Sequence, residues 1–202
     1  MTVTNIEPVT KTRYKVFIDE QFAFVLYKGE LSRYNIEKEA EIDEAVYQTI
    51  RKEVVLKRAK LRAMHLLTDM GRTEFQLRTK LTQGGYPEDI VAEAIDYVKS
   101  FGYINDEEYA RSFILSRKDK KSRREICGQL RQKGLDAELI DRVVEECYQE
   151  DDSLQTISSL MQKRHFDPDS ADDASRQKMM GYLVRKGFRY EEIRQAMQRY
   201  RM

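Results

Sequence analysis

The chain has 202 residues, enough to bury a real core as one domain or as a few small modules. Charged residues make up 35% and hydrophobic residues 41%, and three prolines with nine glycines are too few for a β-sandwich or a disordered linker protein, so helices are expected. No apolar run approaches the ~18 residues that span a bilayer, and the N-terminal segment lacks a signal-peptide core. Cys127 and Cys147 cannot staple a fold of this size, which points to a reducing cytosol. His65 and His165 offer little for a zinc site or a histidine-based catalyst.

In chain order, Tyr14, Val16 and Ile18 alternate, and so do Phe22, Phe24 and Leu26 after the polar Asp19-Glu20-Gln21, which predicts a β-hairpin. A lone hairpin is marginal in water, so it must pack on a helix or gain a strand, for which residues 2–6 are the candidate. Residues 31–36 read as one helical turn. Val46, Ile50, Val54, Leu61, Met64 and Leu67 then recur at i+3/i+4 spacing, predicting a helix over 44–69 of roughly 39 Å.

The rest is an internal repeat. Thr73, Leu77, Leu81, Gly85, Tyr86, Val91 and Ile95 recur at an offset of 49 as Ser122, Ile126, Leu130, Gly134, Leu135, Ile140 and Val144. A further 53 residues on stand Ser175, Met179, Leu183, Gly187, Phe188, Ile193 and Met197. Thr73, Ser122 and Ser175 fit helix N-caps, and Gln76 and Glu125 complete capping boxes that Lys178 cannot. The apolar residues line one face of a short helix, and the glycine suits a left-handed turn. The next apolar pair spans the start of a second helix, as a hydrophobic staple does.

A further helix precedes each pair. In the middle copy Gly102 ends one helix, Asn105 and Glu108 cap the next, and Ile104 and Tyr109 staple it. Tyr103 and Tyr109 read as core residues rather than base-stacking platforms. In the third copy Asp151 or Asp152 is the cap, with Leu154, Ile157 and Leu160 or Met161 buried. Capping also explains Asp151-Asp152 and Asp172-Asp173 better than metal binding. The expected class is mainly α: three tandem three-helix repeats in an elongated, curved body behind a small N-terminal β-hairpin. The corresponding division is 1–42 for the hairpin region, 43–99 for the long helix and first repeat, 100–149 for the second and 150–202 for the third.

Charge is segregated along the chain. Residues 117–134 hold eight basic against two acidic side chains, and 135–152 hold eight acidic against one basic. Such blocks repel themselves unless a partner of opposite charge relieves them. The first candidate interaction cluster is Lys118, Lys120, Lys121, Arg123 and Arg124, with Arg131 and Lys133 beyond. Cations at a helix start oppose its dipole, so they serve no evident stability purpose there. Arg185, Lys186 and Arg189 form a second cluster in the last repeat. Arg51, Lys52, Lys57, Arg58, Lys60 and Arg62 read as a solvated surface. No phosphate loop and no nucleophile–base constellation is present, so no catalytic, metal or cofactor site is expected.

Gly102-Tyr103-Ile104-Asn105-Asp106-Glu107-Glu108-Tyr109-Ala110 resembles the signature of the RecX family, regulators of the bacterial recombinase RecA. Leu130-Arg131-Gln132-Lys133-Gly134-Leu135 and Leu183-Val184-Arg185-Lys186-Gly187-Phe188 are similar to that family's recurrent Leu-x-x-Lys-Gly-apolar turn. The first copy departs from it at Leu81-Thr82-Gln83-Gly84-Gly85-Tyr86, and Lys120-Lys121-Ser122 stands where many members have Lys-Gly. The resemblance spans essentially the whole chain. It implies a modulator in the groove of the RecA–DNA filament, and a cytoplasmic, monomeric, non-enzymatic protein is expected. Such a modulator restrains ATP hydrolysis, strand exchange or filament growth in DNA repair and recombination, with single- or double-stranded DNA as an auxiliary partner and no membrane contact. Two other readings stay open, a stand-alone DNA-binding regulator and a generic helical-repeat adaptor. A DNA reader needs Arg, Asn or Gln on its exposed helix face. The second helices of the first two repeats instead offer Glu88, Asp89, Glu93 and Asp96, or Glu138, Asp141, Glu145 and Glu146; only the last offers Arg194, Gln195, Gln198 and Arg199.

Overall fold

The computed structural model describes residues 1–149 and 151–199. The chain divides into two compact units, Met1–Asn105 and Asp106–Met202.

The first unit opens with strands β1 (Val3–Pro8), β2 (Arg13–Ile18) and β3 (Gln21–Tyr27), paired antiparallel in the order β1-β2-β3. The expected hairpin therefore gains its third strand. Asp19 and Glu20 join β2 to β3 with φ of 47° and 66°, the doubly left-handed two-residue link whose twist matches the strands it connects. A bulge at Val16/Phe17 breaks the predicted alternation in β3. Phe22 turns outward, edge-on to Phe17 at 6.0 Å, while Ala23, Phe24, Val25 and Leu26 are all buried.

Helix α1 (Lys28–Arg33) follows the sheet directly. The long helix forms over 44–69 as α2 (Glu44–Thr49), a π-helical stretch Ile50–Leu56, and α3 (Lys57–Asp69), with the Asp43 carboxylate accepting the Ala45 amide at 2.7 Å. The π-helical turns carry extra residues and rotate everything after them. The buried stripe becomes Val55, Leu56, Ala59, Ala63 and Leu66, and Leu61, expected inside, is 65% exposed. Helices α4 (Glu74–Gln83) and α5 (Glu88–Ser100) complete the first repeat. Thr73 and Gln76 form the predicted reciprocal box, at 3.2 and 3.3 Å. Sheet, long helix and α5 share one core. Tyr103 lies outside it, 57% exposed and stacked on Phe101 at 5.6 Å, because the turn at Gly102 sends Ile104 inward instead.

The second unit holds α6 (Asp106–Leu115), α7 (Arg123–Gln132) and α8 (Ala137–Cys147), then α9 (Asp152–Lys163), α10 (Asp173–Arg185) and α11 (Tyr190–Arg199). Each trio keeps its own core: Phe113, Ile114, Ile126, Leu130 and Val144 in one, Leu154, Ile157, Met161, Leu183 and Ile193 in the other. Each such side chain, fully buried, stabilises by ~1.5–3 kcal/mol. Gly85, Gly134 and Gly187 take the predicted left-handed conformation, with φ of 86°, 83° and 93°.

Three caps differ from expectation. Asp151 precedes α9 without a side-chain hydrogen bond to its amides, and the Asp152 carboxylate instead accepts the Gln149 amide at 2.9 Å. Asp172, not Ser175, caps α10, accepting the Ser175 amide at 2.8 Å. A carboxylate one turn upstream lengthens this helix to 13 residues, against 10 in α7. In α7 the Ser122 hydroxyl accepts the Glu125 amide at 3.1 Å, but the Glu125 carboxylate binds Lys121 and Gln129 rather than closing the box.

Candidate interaction surface

Within the second unit, the glycine turn of the last repeat docks on the N-terminus of α7. The Ser122 hydroxyl donates to the Lys186 carbonyl at 2.6 Å while accepting the Glu125 amide, so one buried oxygen serves both helix ends. A Cβ on Gly187 would lie 2.7 Å from that oxygen and 3.4 Å from Arg124 Cβ. Only glycine lets the turn approach this closely. The arrangement sets the carbonyl end of α10 against the amide end of α7, which offsets part of the unfavourable dipole felt by Arg123 and Arg124.

This docking brings together basic residues from both predicted clusters. Arg123, Arg124, Arg131 and Arg189 line a cleft of about 390 Å³. Arg124, Arg185 and Lys186 line a neighbouring one of about 620 Å³, so Arg124 borders both. None of these six cations has an ion pair among the described residues; Glu192 is the carboxylate bordering the first cleft and Glu125 the second. The remaining predicted residues are placed differently. Lys118 is largely buried, its ammonium 2.9 Å from Asp152 and 3.2 Å from the Cys147 carbonyl, and it ties the two repeats together. Lys121 pairs with Glu125 at 2.6 Å, Lys133 lies over the Phe113 ring at 5.4 Å, and Lys120 is exposed.

The floor of the first cleft holds two groups that sequence reading did not connect to it. Cys127 and Tyr148 line it, and the Tyr148 phenol is buried with no hydrogen-bond partner among the described residues. Burial pushes both the Cys127 thiol and the Tyr148 phenol up, although Arg123 draws each down. Both therefore stay protonated at neutral pH, and Cys127 is no thiolate nucleophile. The cleft is equipped to bind by charge and hydrogen bonding. Tyr148 carries no signal in sequence, because it ends α8 and meets Arg123 only through the fold.

The acidic stretch is partly neutralised internally. Arg111 reaches Glu146 at 2.7 Å, Lys118 reaches Asp152 at 2.9 Å and Arg199 reaches Asp151 at 2.6 Å. Among the described residues no group of three or more His, Cys, Asp or Glu is placed to hold a metal ion. No helix there is long and apolar enough to cross a membrane.

Comparison with known proteins follows the same three-part division. The RecX first, second and third three-helix domains match residues 59–97, 105–144 and 150–197. The "Regulatory protein RecX" of Caldanaerobacter subterraneus subsp. tengcongensis is 31% identical over 98% of each chain. That of Clostridium perfringens is 28% identical over 94% of this chain and 91% of its own. In fold, the chain is similar to a crystal structure of regulatory protein RecX, with a TM-score of 0.63 and 24% identity over 96% of this chain and 98% of that one. It is also similar to RecX from Lactobacillus salivarius, with a TM-score of 0.63 and 23% identity over 72% of this chain and 96% of that one. Three consecutive domain matches and a relative aligned end to end show that the chain belongs to the RecX family.

Proposed function

We propose that this protein regulates the RecA recombinase, chiefly as an inhibitor, by docking on the RecA–DNA filament through the basic face where its second and third repeats meet. The observation that carries this reading is the convergence of Arg123, Arg124, Arg131, Arg185, Lys186 and Arg189, unpaired among the described residues, around one glycine turn. Unpaired cations held this close repel one another, and an acidic protein surface or a phosphate backbone relieves that repulsion. Several modest contacts in one chain act together, so a face that engages adjacent filament subunits has a long residence time. DNA is an auxiliary partner in this reading. The exposed acids on α5 and α8 disfavour groove insertion of those helices and a self-sufficient DNA reader.

The test is RecA ATP hydrolysis on single-stranded DNA, measured with substoichiometric and then stoichiometric protein. Inhibition and altered filament stability are expected, and a triple variant R123E/R124E/R189E loses most of both while keeping its helical circular dichroism. An unchanged hydrolysis rate and filament lifetime with the unmodified chain would reject the reading. Sequence-specific duplex binding without recombinase would favour the stand-alone regulator.

A further inference from the structure

The first unit carries a basic site of its own. Arg13 from β2, Arg58 and Arg62 from α3, and Lys80 from α4 line one pocket of about 480 Å³, together with Tyr27 and Tyr86. Of the four cations, only Arg58 has an ion pair among the described residues, to Glu30 at 2.9 Å. That carboxylate also accepts the Tyr27 amide at 2.8 Å, so it is committed to the wall of the pocket. The excess of positive charge in a concave site is unfavourable by itself and calls for an anion.

Hydrogen bonds and close packing tie the walls together. Arg13 donates to the Gly84 carbonyl at 2.7 Å, pinning the Gly84-Gly85 turn against β3. A Cβ on Gly85, whose φ is +86°, would sit 2.8 Å from Val25 Cγ2. Arg58 donates to the Val25 carbonyl at 2.6 Å and lies over the Tyr27 ring at 4.9 Å. Tyr27 thus has one face backed by a guanidinium, while 42% of the residue remains open to solvent. At the mouth, Arg62 and Lys80 are exposed. Two exposed cations beside a tyrosine face make a pairing of charge and aromatic surface.

We propose that this pocket binds a nucleotide unit, its phosphate held by Arg62 and Lys80 with Arg13 behind them and its base stacked on the open face of Tyr27. Guanidinium and ammonium donors match the several oxygens of a phosphate. A base stacks on a tyrosine ring without regard to its identity, and the Arg58 charge behind the ring reinforces the platform. A carboxylate side chain would satisfy the charge but leave the aromatic face unused. The inference does not rest on the recombinase reading, and its test needs no recombinase.

The full chain, ¹⁵N-labelled, is titrated with inorganic phosphate, thymidine monophosphate, a short oligothymidylate and a glutamate-rich peptide. Thymidylate is expected to shift the amide resonances of Gly84 and Gly85 and to bind more tightly than phosphate. Exposed-site neutralisation by R62Q/K80Q, or by Lys80→Gln alone, is expected to weaken that binding about tenfold or more with unchanged circular dichroism. Tyr27→Leu is expected to abolish the preference for thymidylate over phosphate, and Tyr27→Phe to preserve it. Equal affinity for mononucleotide and oligonucleotide identifies a free nucleotide as the source, and tighter oligonucleotide binding identifies a strand. The proposal is overturned if the Gly84 and Gly85 resonances stay still while shifts are confined to residues 122–189. It is equally overturned if the acidic peptide binds as well as thymidylate, or if Tyr27→Leu leaves the preference intact.

Discussion

Gly187→Ala probes the junction on which the basic face is built. Its cost has two sources. Alanine in the left-handed region is disfavoured by roughly 1–2 kcal/mol. The new methyl would also meet the Ser122 oxygen at 2.7 Å and displace it from the Lys186 carbonyl, and a buried hydrogen bond left unmade costs ~1–3 kcal/mol. The sum is about 2–5 kcal/mol. Gly102→Ala is the internal control: its φ is +70° but nothing lies within 4 Å of the new Cβ, so only the backbone cost of about 1–2 kcal/mol applies. The assay is native-state hydrogen exchange of the Ile126 and Leu130 amides for the first variant and of the Ile95 and Val98 amides for the second, alongside urea unfolding. Removing the obstructing oxygen with Ser122→Ala should relieve the clash, so the double variant S122A/G187A is expected to be non-additive by ~1 kcal/mol or more. Equal costs for the two glycine variants, or strict additivity with Ser122→Ala, would refute the docking argument.

Three more outcomes are expected. Hydrogen bonds from the Gln149 amide and Lys118, with the Lys118 charge, hold the Asp152 carboxyl below its ordinary value of 3.8, outweighing the upward push of burial. A lowered folded value means stability that is present above the unfolded value and lost as pH falls through the folded one, so acid unfolding of the second unit below about pH 4 should be shallower in Asp152→Asn. Thr73→Ala, which removes a fully buried cap, should destabilise the first unit by ~1–2 kcal/mol in urea unfolding. Leu61→Lys should change stability by less than about 0.5 kcal/mol, whereas Ala63→Leu should cost ~1–3 kcal/mol by overpacking; the reverse order would refute the phase shift in the long helix.

Much of the architecture was legible because its signals are local. The seven spaced positions of each repeat announce their own helices and turns, and Thr73, Gly134 and Gly187 do in the fold what their spacing implies. The fold departs from a local rule where that rule has a competitor nearby. Asp172 outcompeted Ser175 for the start of α10, Lys121 and Gln129 drew Glu125 out of its capping box, and the π-helical turns rotated Leu61 into solvent. The basic residues were legible as a group and not as a site. Lys118 and Arg124 are six residues apart and look equivalent in a charge count, yet one is committed to Asp152 and the other stands unpaired between two clefts.

Read alone, the order of residues determined the repeat, the helical class, the N-terminal hairpin and the glycine turns, whereas the fold decided that the hairpin gains a third strand. Hydrogen-bonding patterns, periodicity and backbone preference act over a few residues and are written directly in the chain. The tertiary structure alone decided which cations are neutralised and which converge, and that Arg13, Tyr27, Arg62 and Lys80 share a pocket although they come from four different elements. Coulombic energy depends on distance in space, and folding sets those distances between residues far apart in sequence.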